Sequence, residues 1–332
     1  MKLNMSTLAG PRLSCLGALA AAAALLTTLA LPAQAADYPD RSVNIVVPYP
    51  PGGLVDAQAR QLATLLSDKW KQTVVVENKG GAGTTIGTAQ VARAKPDGYT
   101  LLFTSTGFIT NQILMDSLPY DSASLTPVAI AAVAPNVLYV HPSLPVDSVQ
   151  SLVDYARKNP ESVKFASTGN GSSPHLSAEL LSVQARMPMI HVPYRGAGPA
   201  LNDLLAGHVN AMCHFPASLA QVQAGKLRVL GVASESRMAQ APDVPTITEG
   251  GVDGVLSSSW FGFFVPAGTP DAIQEKIYRD VSESLQSSSI KPFLTESGLA
   301  LTGMSRQDFV DFIRNEKSKW QRVFSEKKIG SK

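Results

Sequence analysis

The sequence predicts an α/β protein of two domains, each built from strand–loop–helix units, with the loops of both domains facing a shared cleft. A buried-type strand at residues 43–47 passes through a proline- and glycine-rich turn into a helix, and the same order recurs after residue 72. The pattern starts afresh at residue 163, again with polar or glycine-rich turns at the strand ends. Because the loop-bearing ends of two such sheets can face each other, we expect a ligand cleft between them.

The first 35 residues have the pattern of a signal peptide. Lys2 and Arg12 precede an apolar run at residues 16–31, and residues 33–35 read Ala-Gln-Ala, a small-x-small cleavage sequence. We expect cleavage near Ala35 and export of the rest of the chain. No comparable apolar stretch follows, so no membrane span is expected in the mature protein.

Charge and cysteine content narrow the functional classes. The 332-residue chain has 28 Lys and Arg and 26 Asp and Glu, and two of the basic residues lie in the leader, so the mature chain is formally neutral. Nothing in this balance indicates a nucleic-acid partner. Only Cys213 remains after cleavage, which excludes an intramolecular disulfide and leaves stability to the hydrophobic cores.

The remaining elements follow in order from apolar periodicity and from turn residues. Strands are predicted at residues 43–47, 73–78, 100–103, 163–166, 190–192, 209–212 and 229–233, with two more between 128 and 140. Helices are predicted at residues 58–70, 86–94, 146–158, 175–185, 200–206, 271–285 and 307–324. The two late helices are amphipathic and need a sheet to cover. We therefore expect residues 36–140 and 260–332 to form one domain and residues 141–259 the other.

The turn after the first strand suits a bound carboxylate. Pro50 and Pro51 lack N–H groups and stiffen the approach, whereas Gly52 and Gly53 let the backbone come close to a guest and leave N–H groups free. Asp56 lies near the positive end of the following helix, where anions are favoured. The alternative is an ordinary strand-to-helix connection with Asp56 as a plain helix-end residue.

Four side chains near predicted strand ends have two interpretations each. His214 can project into the cleft or be satisfied by its neighbours. Arg195 can clamp a carboxylate or pair with an acid at the surface. Tyr49 and Phe215 can wall a small ligand or belong to ordinary core.

Motifs for other chemistry are missing from the sequence. The glycines at 81, 83 and 87 do not have the dinucleotide spacing, and no phosphate loop or Gly-x-Ser-x-Gly elbow occurs. The five histidines show no metal-ligand spacing. We predict no catalytic residues, no metal and no cofactor.

Seven motifs, taken in order, resemble the Bug family, the extracytoplasmic solute receptors of tripartite tricarboxylate transporters. They are VVPYPPGGLVD at 46–56, VENKGGAG at 76–83, PDGYTLL at 96–102, GNGS at 169–172, HVPYRG at 191–196, AGKLR at 224–228 and PDVPT at 242–246. The resemblance spans essentially the whole mature chain.

The resemblance implies a type II periplasmic binding fold, in which two α/β domains joined by crossing strands close around a small carboxylate. It also implies a periplasmic monomer that delivers this ligand to membrane transport components. A sensor that presents its liganded form to a signalling partner is an alternative, and a secreted enzyme is a further one.

The family's ligand contacts can be carried over to matching positions of this chain. They are Tyr49, Gly52, Gly53, Asp56 and Thr106 in one domain, and Gly169, Asn170, Gly171, Ser172 and Tyr194 in the other. Two positions depart from the family pattern, because His214 replaces a usual aspartate and Arg195 a usual lysine. We expect a protonated His214 to favour acids with a second negative group, and the lost carboxylate to disfavour ligands with an amino group.

Overall fold

The computed structural model describes residues 38–327, so the predicted leader and its cleavage site lie outside the described residues. Strands are β1 Val43–Val47, β2 Val74–Asn78, β3 Thr100–Ser105, β4 Leu125–Pro135, β5 Val137–Val140, β6 Lys164–Ser167, β7 Ile190–Pro193, β8 Ala211–His214, β9 Arg228–Val232 and β10 Ser258–Pro266. Helices are α1 Leu54–Trp70, α2 Thr85–Ala92, α3 Gly107–Leu114, α4 Val149–Lys158, α5 Ser173–Gln184, α6 Ala197–Ala206, α7 Leu219–Gln223, α8 Asp271–Leu285, α9 Lys291–Ser297 and α10 Arg306–Lys327. Short 3₁₀ turns lie at Ala82–Thr84, Ser122–Ser124 and Pro216–Ser218. No helix in this part of the chain is both long and apolar enough to cross a membrane.

The first sheet has the strand order β2-β1-β3-β10-β4. β1 pairs in parallel with β2 and with β3, so that Ile45 lies opposite Val76 on one side and Leu101 on the other. β10 runs antiparallel to both β3 and β4. The parallel strand β1 is almost wholly buried, as expected for a strand with both faces covered by helices.

The second sheet repeats this plan with the order β7-β6-β8-β5-β9. β6, β7 and β8 are parallel, and β5 runs antiparallel to β8 and β9. The predicted α/β class with two sheets is therefore confirmed.

The chain crosses between the sheets twice, and the two crossings are hydrogen-bonded to each other. Asn136 separates β4 of the first sheet from β5 of the second, and Ser257 precedes β10 on the way back. The Asn136 N–H donates to the Ser257 carbonyl at 3.0 Å, and the Asn136 side-chain amide donates to the Ser257 and Ser173 hydroxyls at 3.0 and 2.5 Å. One buried amide thus links both crossings to the start of α5.

An aromatic cluster fastens the C-terminal helix α10 to the first sheet. The Phe309 ring is fully buried and lies 6.1 Å from the Trp260 ring and 5.7 Å from the Phe264 ring, centroid to centroid. A Cβ atom at Gly262 would come within 2.5 Å of the Phe309 ring, so the close approach requires glycine there. The predicted late helices do cover this sheet.

We expect Phe309→Ala to reduce the free energy of unfolding by about 3–5 kcal/mol, because it removes a fully buried ring and leaves a cavity under α10. Urea denaturation is the measurement. Leu301→Ala, at a position 36% exposed, is the control and should cost less than about 1 kcal/mol. Equal losses in the two variants would show that Phe309 does not anchor the helix.

Four elements were not predicted, and some predicted boundaries differ from those of the structure. Strand β10 and the three short helices α3, α7 and α9 were missed. The strands expected between residues 128 and 140 both exist, but they belong to different sheets and are separated by Asn136 alone. Helix α1 begins at Leu54 rather than at residue 58, directly after the glycine pair.

Candidate functional site

The predicted ligand residues follow the carboxyl ends of parallel strands in both sheets. The first turn, residues 48–53, follows β1, and Thr106 follows β3 beside it. In the other sheet the second turn, residues 168–172, follows β6, while Tyr194 and Arg195 follow β7 and His214 ends β8. Parallel strands bring their carboxyl ends to one edge, which is where open α/β sheets bind ligands.

The carboxylate of Asp56 organises the first turn. It is 4% exposed and accepts hydrogen bonds from the Gly52 N–H and the Asn78 side chain, both at 2.9 Å, and from Arg60 at 3.0 Å. Burial alone would raise the pKa of Asp56, but the bonds from Arg60, Gly52 and Asn78 lower it below 3.8. The expectation of a free Gly52 N–H is therefore wrong in this conformation, because Asp56 already occupies it.

We expect Asp56→Asn to lower the free energy of unfolding at pH 7 by about 1–3 kcal/mol, since it removes charge-assisted bonds from a buried site. The wild-type contribution is present above the unfolded pKa near 3.8 and is lost as the pH falls through the lower folded pKa. Urea titrations at pH 7 and pH 3 should therefore show the gap between the two proteins closing in acid. Asp68→Asn, an exposed position on the same helix, is the control.

Tyr49 lies on the inner side of the first turn. Burial raises the pKa of Tyr49 to about 12, against the lowering effect of contacts with Thr104 and Ser105. A Cβ atom at Gly107, the first residue of α3, would lie 3.4 Å from the Tyr49 hydroxyl oxygen and 3.5 Å from the Thr84 hydroxyl oxygen. The ring therefore supports the start of α3.

The loop at residues 80–84 was not predicted to lie at the ligand site, but the structure places it beside the first turn, where a Cβ atom at Gly80 would lie 3.3 Å from the Pro50 nitrogen. The Asn111 amide of α3 donates to the Gly83 carbonyl at 2.6 Å and to the Thr84 hydroxyl at 3.0 Å. Thr84 has a φ of +83°, a strained value for a residue other than glycine. The glycine-rich sequence after β2, the strand beside β1, was the signal that could have identified this neighbour.

The second turn is held by hydroxyl groups and by glycine conformations. Gly169 and Gly171 have φ values of +129° and +73°. The Ser172 hydroxyl donates to the Gly169 carbonyl at 2.7 Å and accepts from the His175 N–H at 3.4 Å, which caps helix α5. Asn170 is exposed at the tip of the turn.

Helix α3, which follows β3 of the first sheet, is in direct contact with the second turn. The Thr110 hydroxyl of α3 donates to the Gly171 carbonyl at 2.6 Å. The Phe215 ring lies 5.9 Å from the Phe261 ring of β10, centroid to centroid, so Phe215 belongs to this junction. Thr110 was not predicted, because an isolated threonine on a short helix gives no sequence signal.

Two of the buried polar atoms that have no hydrogen-bond partner among the described residues lie at predicted ligand positions. They are the hydroxyl oxygen of Thr106, 1% exposed, and Nε2 of His214, 6% exposed. Nδ1 of His214 is bonded to the Ser218 hydroxyl at 2.8 Å. Unpaired buried groups are costly and rare, so each of them suits a guest that can pair with it.

His214 is neutral at physiological pH. Burial lowers the pKa of the imidazole to about 4. The expectation that it carries a charge near neutral pH is therefore wrong in this conformation. What it offers through Nε2 is a neutral hydrogen-bonding group.

Tyr194 and Arg195 lie further out. The Tyr194 hydroxyl donates to Asp203 of α6 at 2.7 Å, and burial together with this bond raises the pKa of Tyr194 to about 12. Arg195 is exposed, and within residues 38–327 it forms no ion pair. The arginine is thus available at the rim, whereas the tyrosine hydroxyl is already engaged.

Comparison with known proteins identifies the family. A family profile described as tripartite tricarboxylate transporter family receptor matches residues 58–329. The chain is 37% identical over 317 residues to a UPF0065 protein of the tcbD-tcbE intergenic region of Pseudomonas sp., covering 94% of each chain. It is 36% identical over 302 residues to protein BugT of Bordetella pertussis, covering 90% of this chain and 93% of BugT.

Solved structures agree with the fold. The periplasmic binding protein BugD superposes with a TM-score of 0.80 at 32% identity, covering 88% of this chain and 99% of BugD. An R. palustris protein solved with adipate gives a TM-score of 0.82 at 35% identity, and the match covers 87% of this chain and 97% of that protein. MatC from Rhodopseudomonas palustris, with bound malate, gives a TM-score of 0.80 at 30% identity, and the match covers 86% of this chain and 99% of MatC.

The fold is accordingly the two-domain α/β fold of type II periplasmic binding proteins, and the predicted resemblance is confirmed. These relatives are binding receptors, so the alternative of a secreted enzyme falls away. The chain belongs to the Bug family of tripartite tricarboxylate transporter receptors and is a solute-binding protein.

Proposed function

We propose that this receptor captures a small organic carboxylate in the periplasm and delivers it to a tripartite tricarboxylate-type membrane transporter. The observation that carries the proposal is the pair of buried, unpaired polar atoms on Thr106 and His214, one at the carboxyl edge of each sheet. The relatives solved with adipate and malate support the class of ligand.

The start of α1 supplies the positive pole of the proposed site. This 17-residue helix begins after Gly53 without a side-chain cap, and its first bond is from the Ala57 N–H to the Gly53 carbonyl. The N–H groups of the first helical residues therefore have no partner within the helix. Together with the helix dipole they suit a carboxylate.

The predicted residues then take distinct roles. Gly53 and Thr106 contact the ligand from the first sheet, and Gly169, Asn170 and Ser172 contact it from the second turn. Gly52, Asp56, Tyr49 and Gly171 shape the turns, since their polar atoms are already engaged or face inward. Tyr194 and Arg195 form the rim.

The ligand lacks an amino group in this proposal. His214 stands where the family usually has an aspartate, and a neutral imidazole gives an ammonium no opposite charge. The same imidazole can hydrogen-bond a carboxylate or hydroxyl oxygen.

We also propose how the chain divides into two closing domains. Of the described residues, one domain comprises 38 to about 136 together with 258–327, and the other comprises the segment between them. Support comes from the sheets: β10 pairs with β3 and β4, whereas β5 pairs with β8 and β9. Because β5 belongs to the second sheet, we place the boundary between the first and second domains at Asn136 rather than at residue 140. The hinge then lies at the bonded crossings of Asn136 and Ser257.

A thermal-shift screen of mono-, di- and tricarboxylates, aromatic acids and amino acids tests the binding step. At 100 times Kd, a ligand that binds only the folded state stabilises it by about 2.7 kcal/mol. We expect at least one unaminated carboxylate to raise the melting temperature and the amino acids to leave it unchanged. Stabilisation by amino acids alone would refute the ligand class. Delivery is tested by comparing uptake of the stabilising acid by cells that have this protein and by cells that lack it.

A further inference from the structure

The side chains of His175, Glu179 and His191 form a cluster behind the second turn that the proposed solute site does not use. We propose that this cluster binds a divalent transition metal ion, with Zn²⁺ as the best fit, and that the bound metal releases the Gly171 N–H from the hydrogen bond that now fixes the second turn. The first half of the proposal is independent of the proposed function. The consequence for solute binding rests on it.

The spacing of the three side chains suits a metal. One ligand atom from each of them lies within 4.8 Å of the others. Nε2 of His175 is 3.5 Å from a carboxylate oxygen of Glu179, and two ligand atoms of a tetrahedral zinc site are about 3.3 Å apart when each metal bond is about 2.0–2.1 Å. The first two ligands are therefore already placed, and the His191 donor, which lies within 4.8 Å of both, has to move closer on metal binding.

The elements that carry the ligands are well fixed. His175 and Glu179 are one turn apart on α5 and so share a helix face. His191 comes from β7, and its ring stacks on the His175 ring with centroids 4.0 Å apart. A rigid helix and a paired strand thus hold the three groups together, although His191 is distant from the other two in sequence.

The donor set indicates the kind of ion. Two imidazoles and one carboxylate are typical zinc ligands, whereas calcium and magnesium prefer oxygen ligands alone. With both imidazoles neutral, the cluster carries the single negative charge of Glu179, and within residues 38–327 the ion pair of Glu179 is with His175 alone. The side chains are 10% exposed at His175 and 23% at Glu179, so an ion can enter from solvent and keep a water as fourth ligand.

The two ring nitrogens of His175 connect the cluster to the second turn. The Gly171 N–H donates to Nδ1 at 3.1 Å, so in this conformation Nδ1 is unprotonated and Nε2 carries the proton. A metal ion binds the lone pair of Nε2, so Nε2 cannot keep its proton. The neutral ring then carries its proton on Nδ1. The Nδ1–H of His175 and the Gly171 N–H are then both donors and cannot hydrogen-bond each other, so the metal-bound form loses the bond from Gly171.

His191 can ligate without losing its own partner. Nε2 of His191 lies 2.7 Å from the Ser167 hydroxyl. If Nδ1 binds the metal, Nε2–H donates to Ser167 and fixes the ring, as second-shell partners of metal-bound histidines do. The hydrogen bond lost on metal binding is therefore the one from Gly171 to His175, and by linkage a ligand that needs the present turn opposes the metal.

Calorimetry of the purified, tag-free protein with ZnCl₂ tests the site, with no organic acid present. We expect one Zn²⁺ per chain, and at least 10-fold weaker binding for both Glu179→Gln and His191→Asn. His208→Asn, an exposed histidine 72% open to solvent that pairs with Asp203, is the matched control and should bind as the wild type does. Stoichiometric Zn²⁺ binding that survives both cluster variants, or none at all, would overturn the metal site.

A second measurement tests the link to the turn. In protein labelled with ¹⁵N-glycine, Zn²⁺ should move the amide signal of Gly171 in the wild type but not in Glu179→Gln. Melting temperatures of the variants show whether each is folded. An unmoved Gly171 signal in the zinc-bound wild type would refute the release of this N–H. Because neither experiment uses a solute, their failure is separate from failure of the proposed carboxylate site.

Discussion

Gly53→Val is expected to weaken binding of the cognate acid by at least about 100-fold, which corresponds to 2.7 kcal/mol or more, while leaving the fold intact. Gly53 has a φ of −83°, and a Cβ atom there would meet only the Pro50 carbonyl oxygen, at 4.0 Å. The valine therefore fits the backbone, and in the proposed site its methyl groups would occupy space that the ligand needs. The cost to stability should stay near 1 kcal/mol, the difference between glycine and valine before a helix.

Calorimetry with the acid that most stabilises the wild type measures this effect. Gly52→Val is the informative comparison, because Gly52 has a φ of +84° and any side chain there is strained. That variant should lose stability as well as affinity. Unchanged affinity in Gly53→Val would mean that the first turn is only structural.

His214→Gln should remove about 3 kcal/mol of pH-dependent stability. Burial lowers the pKa of His214 in the folded protein to about 4, whereas the ordinary pKa of histidine, which applies to the unfolded chain, is 6.5. As the pH falls the unfolded chain takes up the proton first, so the stability from neutral His214 is full above about 6.5, declines below it and levels off near 4.

Urea unfolding at pH 7 and pH 4.5 measures this decline in the wild type and in the variant. Burial lowers the pKa of His191 to about 4 as well, but His191 is present in both proteins, so its effect on stability cancels in the comparison. A wild-type decline equal to that of His214→Gln would contradict the buried, neutral state. Between about pH 6 and pH 8 the solute preference of the wild type should not change.

The sequence sufficed for the elements whose signals are local. The turn at residues 48–53 and the helix after it follow from two prolines, two glycines and an apolar stripe, and both are present. Strand β10 was missed because its sequence SSWFGFFVP is a continuous apolar run with a glycine, which does not show the alternation of a half-buried strand. Its buried, central position between β3 and β4 accounts for that composition.

The site depended on distances that no local pattern contains. That Asp56 occupies the Gly52 N–H follows from the geometry of a single turn, and the pKa of His214 follows from burial by residues far apart in sequence. The contact between Thr110 and Gly171 joins positions 61 residues apart. The family pattern located the turns, whereas the assignment of partners within them required the fold.

Hydrogen exchange with and without the stabilising carboxylate tests the central claim most directly, because it reports where the ligand binds. We predict slower exchange at residues 48–57, 104–108 and 168–173, from both sheets at once. The surface cavity of about 430 Å³ lined by residues between 235 and 256 should exchange unchanged. Protection in that cavity, or in only one of the two sheets, would contradict capture of the solute between the facing turns.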